Sequence, residues 1–328
     1  MKQIAIFLVI LTSFLSVQAQ ETNKDQKNPE NTFYVHEEPS NPELNPRGDI
    51  RPSRLDSGGG NTSVNIDKAI ELNNRGTDLF FGKNYDKAIE FYRQASEINP
   101  KSIEVKNNLA NALLNGKYYT EAGEICRKSI DNNEANGNTY AILGSAIFEL
   151  GNYSESVVSY QKALQFDKQN ASILNDLGEA FYQLEQFDSA VKSFEKALFI
   201  KSDFPEALNN YGATLVKVKN YKEAVRKFEL AIKLQPDFAQ AHNNLGTAYF
   251  YLGKSKQARK SYLEAVRLDP EWGLALINLA MSYLADGNRE EARKCLNTLK
   301  KLDTELAEKL QKEVYKNYIV DVSEENNK

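Results

Sequence analysis

Residue types that usually carry chemistry are few in this chain. It has two histidines, His36 and His242, and two cysteines, Cys126 and Cys295. A zinc site needs four fixed ligands, most of them His or Cys, and no spacing here supplies them, so neither metal nor cofactor is expected. The glycine triplet Gly58 to Gly60 precedes no strand and so makes no phosphate loop. No Ser, His and Asp fall at a hydrolase spacing, and the chain reads as a non-enzyme. Amides are another matter. Asn74, Asn108, Asn210, Asn244 and Asn278 recur on a thirty-four-residue spacing, with Ile142 and Asp176 filling the remaining places. Asn73, Asn107, Asn175, Asn209 and Asn243 stand directly before members of that column. A carboxamide offers a donor and an acceptor together, which matches the N–H and C=O of an extended peptide without reading its side chains. The same amide can instead tie one helix to the next, and both readings stand.

The elements that must position these amides follow from the same period. Pro205 to Phe238 reads as two amphipathic helices joined by a polar turn at Lys219-Asn220. Leu208, Tyr211 and Leu215 share one face of the first, and Ala224, Phe228 and Ala231 one face of the second. Shifted by thirty-four residues, the pattern holds seven times from Ala69 to Leu306 without insertion or deletion. The Gly212 position is Gly76, Ala110, Gly144, Gly178, Gly212, Gly246 and Ala280; the Ala224 position is always Ala or Ser. Small residues in both columns read as clearance for close approach of the two helix backbones, with the aromatics filling what that clearance leaves. The Phe228 position is Tyr92, Cys126, Tyr160, Phe194, Phe228, Tyr262 and Leu296, and a proline closes the repeat at Pro100, Pro236 and Pro270.

These columns resemble those of the tetratricopeptide repeat family over roughly residues 66–316, with Lys106 and His242 departing from the large apolar first column. The resemblance implies an all-α fold: a right-handed superhelix, or α-solenoid, of seven helix-turn-helix repeats (69–102, 103–136, 137–170, 171–204, 205–238, 239–272 and 273–306) closed by a C-terminal capping helix. It also implies that the second, fifth, sixth, ninth, twelfth and thirteenth positions of each repeat face a concave groove. Both amide columns then line that groove, joined at the ninth position by Thr77, Asn111, Ser145, Glu179 and Thr247. In such an elongated stack Cys126 and Cys295 lie too far apart for a disulfide and read as small apolar fillers. Arg75 replaces the Leu of later repeats and marks an end face.

The formal charge is −4, from 41 Lys and Arg against 45 Asp and Glu. Groove positions carry Glu104, Glu149, Asp176, Glu179 and Glu206 against Lys217, which excludes a nucleic-acid partner, since that would demand a positive surface. Residues 1–19 pair Lys2 with an apolar run, Ile4 to Val17, and end in Val17-Gln18-Ala19, the form of a cleaved signal peptide. At about fourteen residues the run is short of the ~20 of a spanning helix. Without a lipoprotein cysteine, the mature chain is expected in the periplasm or secreted, with no membrane insertion. Residues 20–64, rich in Pro, Asn and Gly, read as a disordered leader. Within it, Phe33-Tyr34-Val35 could dock in a groove, and Arg47-Gly48-Asp49 spells an adhesion triplet. A final helix is expected to about Lys316 and a polar tail over 317–328. The expected function is an envelope scaffold that binds an extended protein or peptide segment. The alternative is a structural subunit that self-associates through its end faces.

Overall fold

The computed structural model describes residues 52–55 and 64–302. The signal sequence, most of the leader with Phe33 to Val35 and Arg47 to Asp49, the capping helix and the tail all lie outside the described residues. Among the described residues there are fourteen helices and no strand. They fall into two compact units, 52–202 and 203–302.

The first unit holds α1 (Val64–Phe81), α2 (Tyr85–Ile98), α3 (Ile103–Asn115), α4 (Tyr119–Asp131), α5 (Gly137–Glu149), α6 (Tyr153–Phe166), α7 (Ala171–Gln183) and α8 (Phe187–Ile200). The second holds α9 (Pro205–Lys217), α10 (Tyr221–Leu234), α11 (Ala239–Tyr251), α12 (Ser255–Leu268), α13 (Gly273–Ala285) and α14 (Arg289–Leu302). Within each unit every helix packs on its successor, and the first helices of neighbouring repeats also touch, α1 on α3 and α9 on α11 for example. The first helices therefore form a continuous face in each unit, which is where the amide columns sit.

Local sequence explains the pairs. Side chains of Asn84, Ser102, Asn152 and Asn170 accept hydrogen bonds from backbone N–H groups of the first turns they precede, and Asn136 with Thr139 makes a reciprocal capping box. Each first helix stops at a left-handed residue, fifteenth in every repeat: Lys83 at φ 59°, Lys117 at 67°, Gly151 at 80°, Glu185 at 57°, Lys219 at 64°, Gly253 at 72° and Gly287 at 75°. At Lys219 the closing bonds are Lys219 N–H to Val216 O at 3.0 Å and Asn220 N–H to Leu215 O at 2.8 Å, the paired pattern of a left-handed helix stop.

The small columns meet across the helix pair, Ser156 Oγ donating to Gly144 O at 2.8 Å, and the glycines also make room for a ring. A Cβ placed on Gly212 would sit 2.6 Å from Phe228 Cε1, and on Gly178 2.7 Å from Phe194 Cε1; Gly76, Gly144 and Gly246 face the rings of Tyr92, Tyr160 and Tyr262 in the same way. The clearance is for the ring of the paired helix, which is why Tyr92, Tyr160, Phe194 and Phe228 are almost completely buried. Where the column carries Ala110 or Ala280, the ring is replaced by Cys126 or Leu296. The alanine methyl and the lost ring compensate in volume.

The ninth position also faces inward and not the groove, correcting the expectation for Thr77, Ser145 and Thr247. All three are buried and bond to tyrosine hydroxyls, Tyr92 to Thr77 at 3.1 Å, Ser145 with Tyr160 at 3.1 Å and Tyr262 to Thr247 at 3.2 Å. The two phenylalanine repeats place Glu179 and Ala213 there instead. A buried phenol needs a partner and a phenyl ring does not.

Both departures from the apolar first column are compensated. Lys106 donates to Glu134 Oε2 at 2.5 Å, and that hydrogen bond holds the Glu134 carboxyl below its ordinary range. His242 is half-buried, with Nε2 3.0 Å from the Pro236 carbonyl oxygen, so that nitrogen donates. Cys126 and Cys295 are both buried and unpaired with each other. No helix among the described residues is long and apolar enough to cross a membrane.

Candidate functional site

In the first unit the amide columns hold a piece of the chain itself. Residues 52–55, which belong to no helix or strand, lie across α1 and α3. The Asn108 amide takes both backbone groups of Ser53: the Ser53 N–H donates to Asn108 Oδ1 at 3.0 Å, and Asn108 Nδ2 donates to Ser53 O at 2.9 Å. The Asn74 amide takes both groups of Leu55, at 2.9 Å from its N–H and 3.0 Å to its carbonyl. Asn73 Nδ2 adds a bond to Ser53 O at 3.0 Å.

The alternation has a simple cause. In an extended chain the N–H and C=O of one residue point to the same side and those of the next to the other. Ser53 and Leu55 therefore face the asparagines together, and each carboxamide completes a two-bond ring like that of a neighbouring strand. The chain runs from repeat 2 to repeat 1, opposite to the order of the repeats. Five net hydrogen bonds at about 0.5–1.5 kcal/mol each oppose about 1–2 kcal/mol for each of four ordered residues. These terms nearly cancel, so the contact is marginal.

Side chains around the segment are chosen as well. Arg54 pairs with Asp78, and both side chains stay exposed. Pro52 is buried, and Leu55 packs against the cluster of Leu72, Ala95 and Val105, with Phe91 and Ile98 beside it. Arg75 places its guanidinium 4.8 Å over the Phe91 ring.

The same asparagines also link repeats. Asn108 Nδ2 donates to Asn73 Oδ1 at 2.8 Å. In the second unit Asn244 donates to Asn209 at 2.9 Å and Asn278 to Asn243 at 2.8 Å. The asparagine that takes the backbone of Ser53 is thus also a tie between repeats 1 and 2. The fifth-position amide accepts from the sixth-position amide of the following repeat, which pre-sets the orientation of both. Asn73 and Asn209 each also lean on the adjacent sixth-position amide, Asn74 at 3.3 Å and Asn210 at 3.4 Å.

Asn107 and Asn111 are placed differently. Asn107 has Ile142 where its inter-repeat partner would stand, and it turns to the α5 cap instead, donating to Asn136 at 3.0 Å and accepting from Thr139 at 2.9 Å. Asn111 accepts from Asn115 Nδ2 at its carbonyl oxygen, 2.9 Å, and at Oδ1, 3.0 Å. Asn175 lies against Asp176, 3.4 Å between Nδ2 and Oδ1, and Glu179 is buried nearby on α7. Sequence reasoning missed Ser53, Arg54, Leu55 and Asp78. Asp78 had a signal: the tenth position is acidic in repeat 1 and is Ala, Thr or Ser in the other six.

Among the described residues no group of three His, Cys, Asp or Glu is placed to hold a metal ion. No curated protein matches the sequence. Solved structures similar to it include a tetratricopeptide repeat protein from Parabacteroides merdae, 19% identical, with a TM-score of 0.60 over 75% of this chain and 98% of that one. Another is the C-terminal part of a TPR repeat-containing protein from Cytophaga hutchinsonii, also 19% identical, with a TM-score of 0.52 over 70% of this chain and 95% of that one. These likenesses are of fold. Family profiles described as TPR repeat match residues 144–185, 178–219 and 214–253, and others described as Tetratricopeptide repeat match 79–102, 239–271 and 274–303. With the repeat columns, the helix pairs and these matches in agreement, the chain belongs to the tetratricopeptide repeat family, whose stacked helix pairs are scaffolds for protein–protein interaction.

Proposed function

We propose that this protein is a non-enzymatic scaffold that holds extended polypeptide segments by their backbones along its asparagine columns. The observation that carries the reading is the pair of two-bond rings from Asn108 and Asn74 to Ser53 and Leu55. The second unit repeats the arrangement with Asn209, Asn210, Asn243, Asn244 and Asn278, and its inter-repeat bonds match that of Asn73 with Asn108 in length. Three sixth-position amides in succession suit three alternate residues of an extended segment. The tenth positions there are Thr214, Ala248 and Ser282, which bear no charge, so this stretch is suited to backbone more than to a particular side chain.

The site of action follows from the N-terminus. Lys2, the apolar run and Ala19 fit export with cleavage after residue 19, which makes the partner an envelope or secreted protein. Mass spectrometry of the mature chain from fractionated cells should find Gln20 first; a chain retaining Met1 in the cytoplasm contradicts export.

Binding is tested with the full chain against a displayed pool of unstructured peptides, parent beside the Asn74→Ala, Asn210→Ala variant. Asn74 and Asn210 are the two half-buried members of the sixth-position column, so their loss should leave melting nearly unchanged. Capture should fall about tenfold or more, since each lost pair of bonds is worth roughly 1–3 kcal/mol. Equal capture by both proteins contradicts the reading.

A further inference from the structure

We propose that Pro52–Leu55 is a tethered ligand of repeats 1 and 2, and that the partner accepted there is an extended segment in which a basic residue precedes an aliphatic one, as Arg54 precedes Leu55. This rests on the reading of the asparagines as a backbone clamp and adds to it a side-chain code and a built-in competitor.

The code follows from the phase of the clamp. Asn108 and Asn74 hold the first and third residues of the triplet by their backbones, so the register is pinned and the middle side chain is delivered to Asp78. A slip of one residue would turn the wrong backbone groups toward the amides. Asp78 is the acidic member of the tenth-position column, which confines the preference for a cation to this end of the array. The third side chain is received by the apolar cluster of Leu72, Ala95 and Val105. An ion pair whose side chains are 62% and 59% exposed gives selectivity of only several-fold, weakened by salt. The amides supply the hold and Asp78 the preference.

Competition follows from the covalent link. Residues 56–63 join the segment to α1, and a tether of that length gives an effective concentration on the order of 1 mM. For a site with a Kd near 0.1 mM, a free peptide of the same sequence is weakened about tenfold. A partner must therefore arrive with a better triplet, or with further residues.

The test uses fluorescence anisotropy of a labelled peptide spanning residues 51–56, titrated with the full chain and with the full-chain variant Ser53→Pro, Leu55→Pro. The two prolines remove the N–H donors that reach Asn108 and Asn74 and leave the array untouched. The variant should bind the peptide about tenfold more tightly than the parent. A peptide with Glu in place of Arg54 should bind the variant several-fold more weakly, and adding Asp78→Arg to the variant should reverse the order of the two peptides. Equal affinity of parent and variant overturns the tethered competitor, and equal binding of the two peptides overturns the code. In either case the clamp itself stands if Asn74→Ala still weakens binding, and falls if it does not. No binding by the variant overturns the whole proposal, and the pooled-peptide experiment then judges the clamp separately. A concentration-dependent dimer of the parent that the proline variant lacks would overturn the tether in favour of exchange between copies.

Discussion

At the scale of single residues, the repeats are tuned as pairs. Glycine in one column meets an aromatic ring from the other, and where Ala110 or Ala280 stands instead the paired position carries no ring, Cys126 or Leu296, so the two columns vary together. Gly212→Ala should cost about 1–3 kcal/mol, because its methyl would press on the buried Phe228 ring. Thermal denaturation of Gly212→Ala, Phe228→Cys should show less than the sum of the single losses; strict additivity contradicts the pairing. Thr77→Val should likewise cost about 1–3 kcal/mol by leaving the Tyr92 hydroxyl unpartnered, and Tyr92→Phe should make the valine nearly harmless. The small and large columns were legible as a period. Which column faced which was not, because a period fixes a helix face and not what packs on it. The correlation of tyrosine with Thr or Ser at the ninth position, and of phenylalanine with Glu or Ala, was present in the sequence and would have turned those hydroxyls inward. Burial pushes the Cys126 thiol up to about 12 and the Cys295 thiol up to about 11. Stability from keeping them neutral is complete below the unfolded thiol range, about 8.5, and is lost as pH rises toward those folded values. Iodoacetamide at pH 8 should label neither until the chain unfolds; rapid labelling of the native protein would contradict the burial.

At the scale of elements, the helix stops and the amide columns carry the account. Lys219 holds φ at 64°, a left-handed conformation that costs a non-glycine residue about 1–2 kcal/mol. Lys219→Gly should therefore raise stability by up to about 1 kcal/mol after the added chain entropy is counted, and a lower melting temperature would contradict this. Gly151, Gly253 and Gly287 already occupy the equivalent stops, which the sequence displayed as a column without stating its conformation. The amides were legible as a column too, but peptide ladder and structural tie stood as rivals there. One side chain has the capacity for both, because a carboxamide has more bonding groups than either role uses: Asn73 accepts from Asn108 while donating to Ser53. Asn107 shows the limit, since Ile142 offers no amide and the side chain turns to the α5 cap.

At the scale of the whole molecule, the seven-repeat frame followed from the period and appears in both units. The placement of residues 52–55 did not follow. Burial is usually driven by apolar surface, which favours the leader's apolar cluster, Phe33 to Val35, whereas the segment on the amides, Pro52 to Leu55, is held mainly through its backbone. Backbone recognition leaves no trace in side-chain types, so only Arg54 facing Asp78 could have hinted at it. The most direct measurement is amide hydrogen exchange by NMR at residues 53–55 of the full chain. The clamp predicts alternation: Ser53 and Leu55 protected, Arg54 between them fast, with protection at Ser53 lost in Asn108→Ala and at Leu55 lost in Asn74→Ala. Uniformly fast exchange at all three, or protection indifferent to both asparagines, would contradict it.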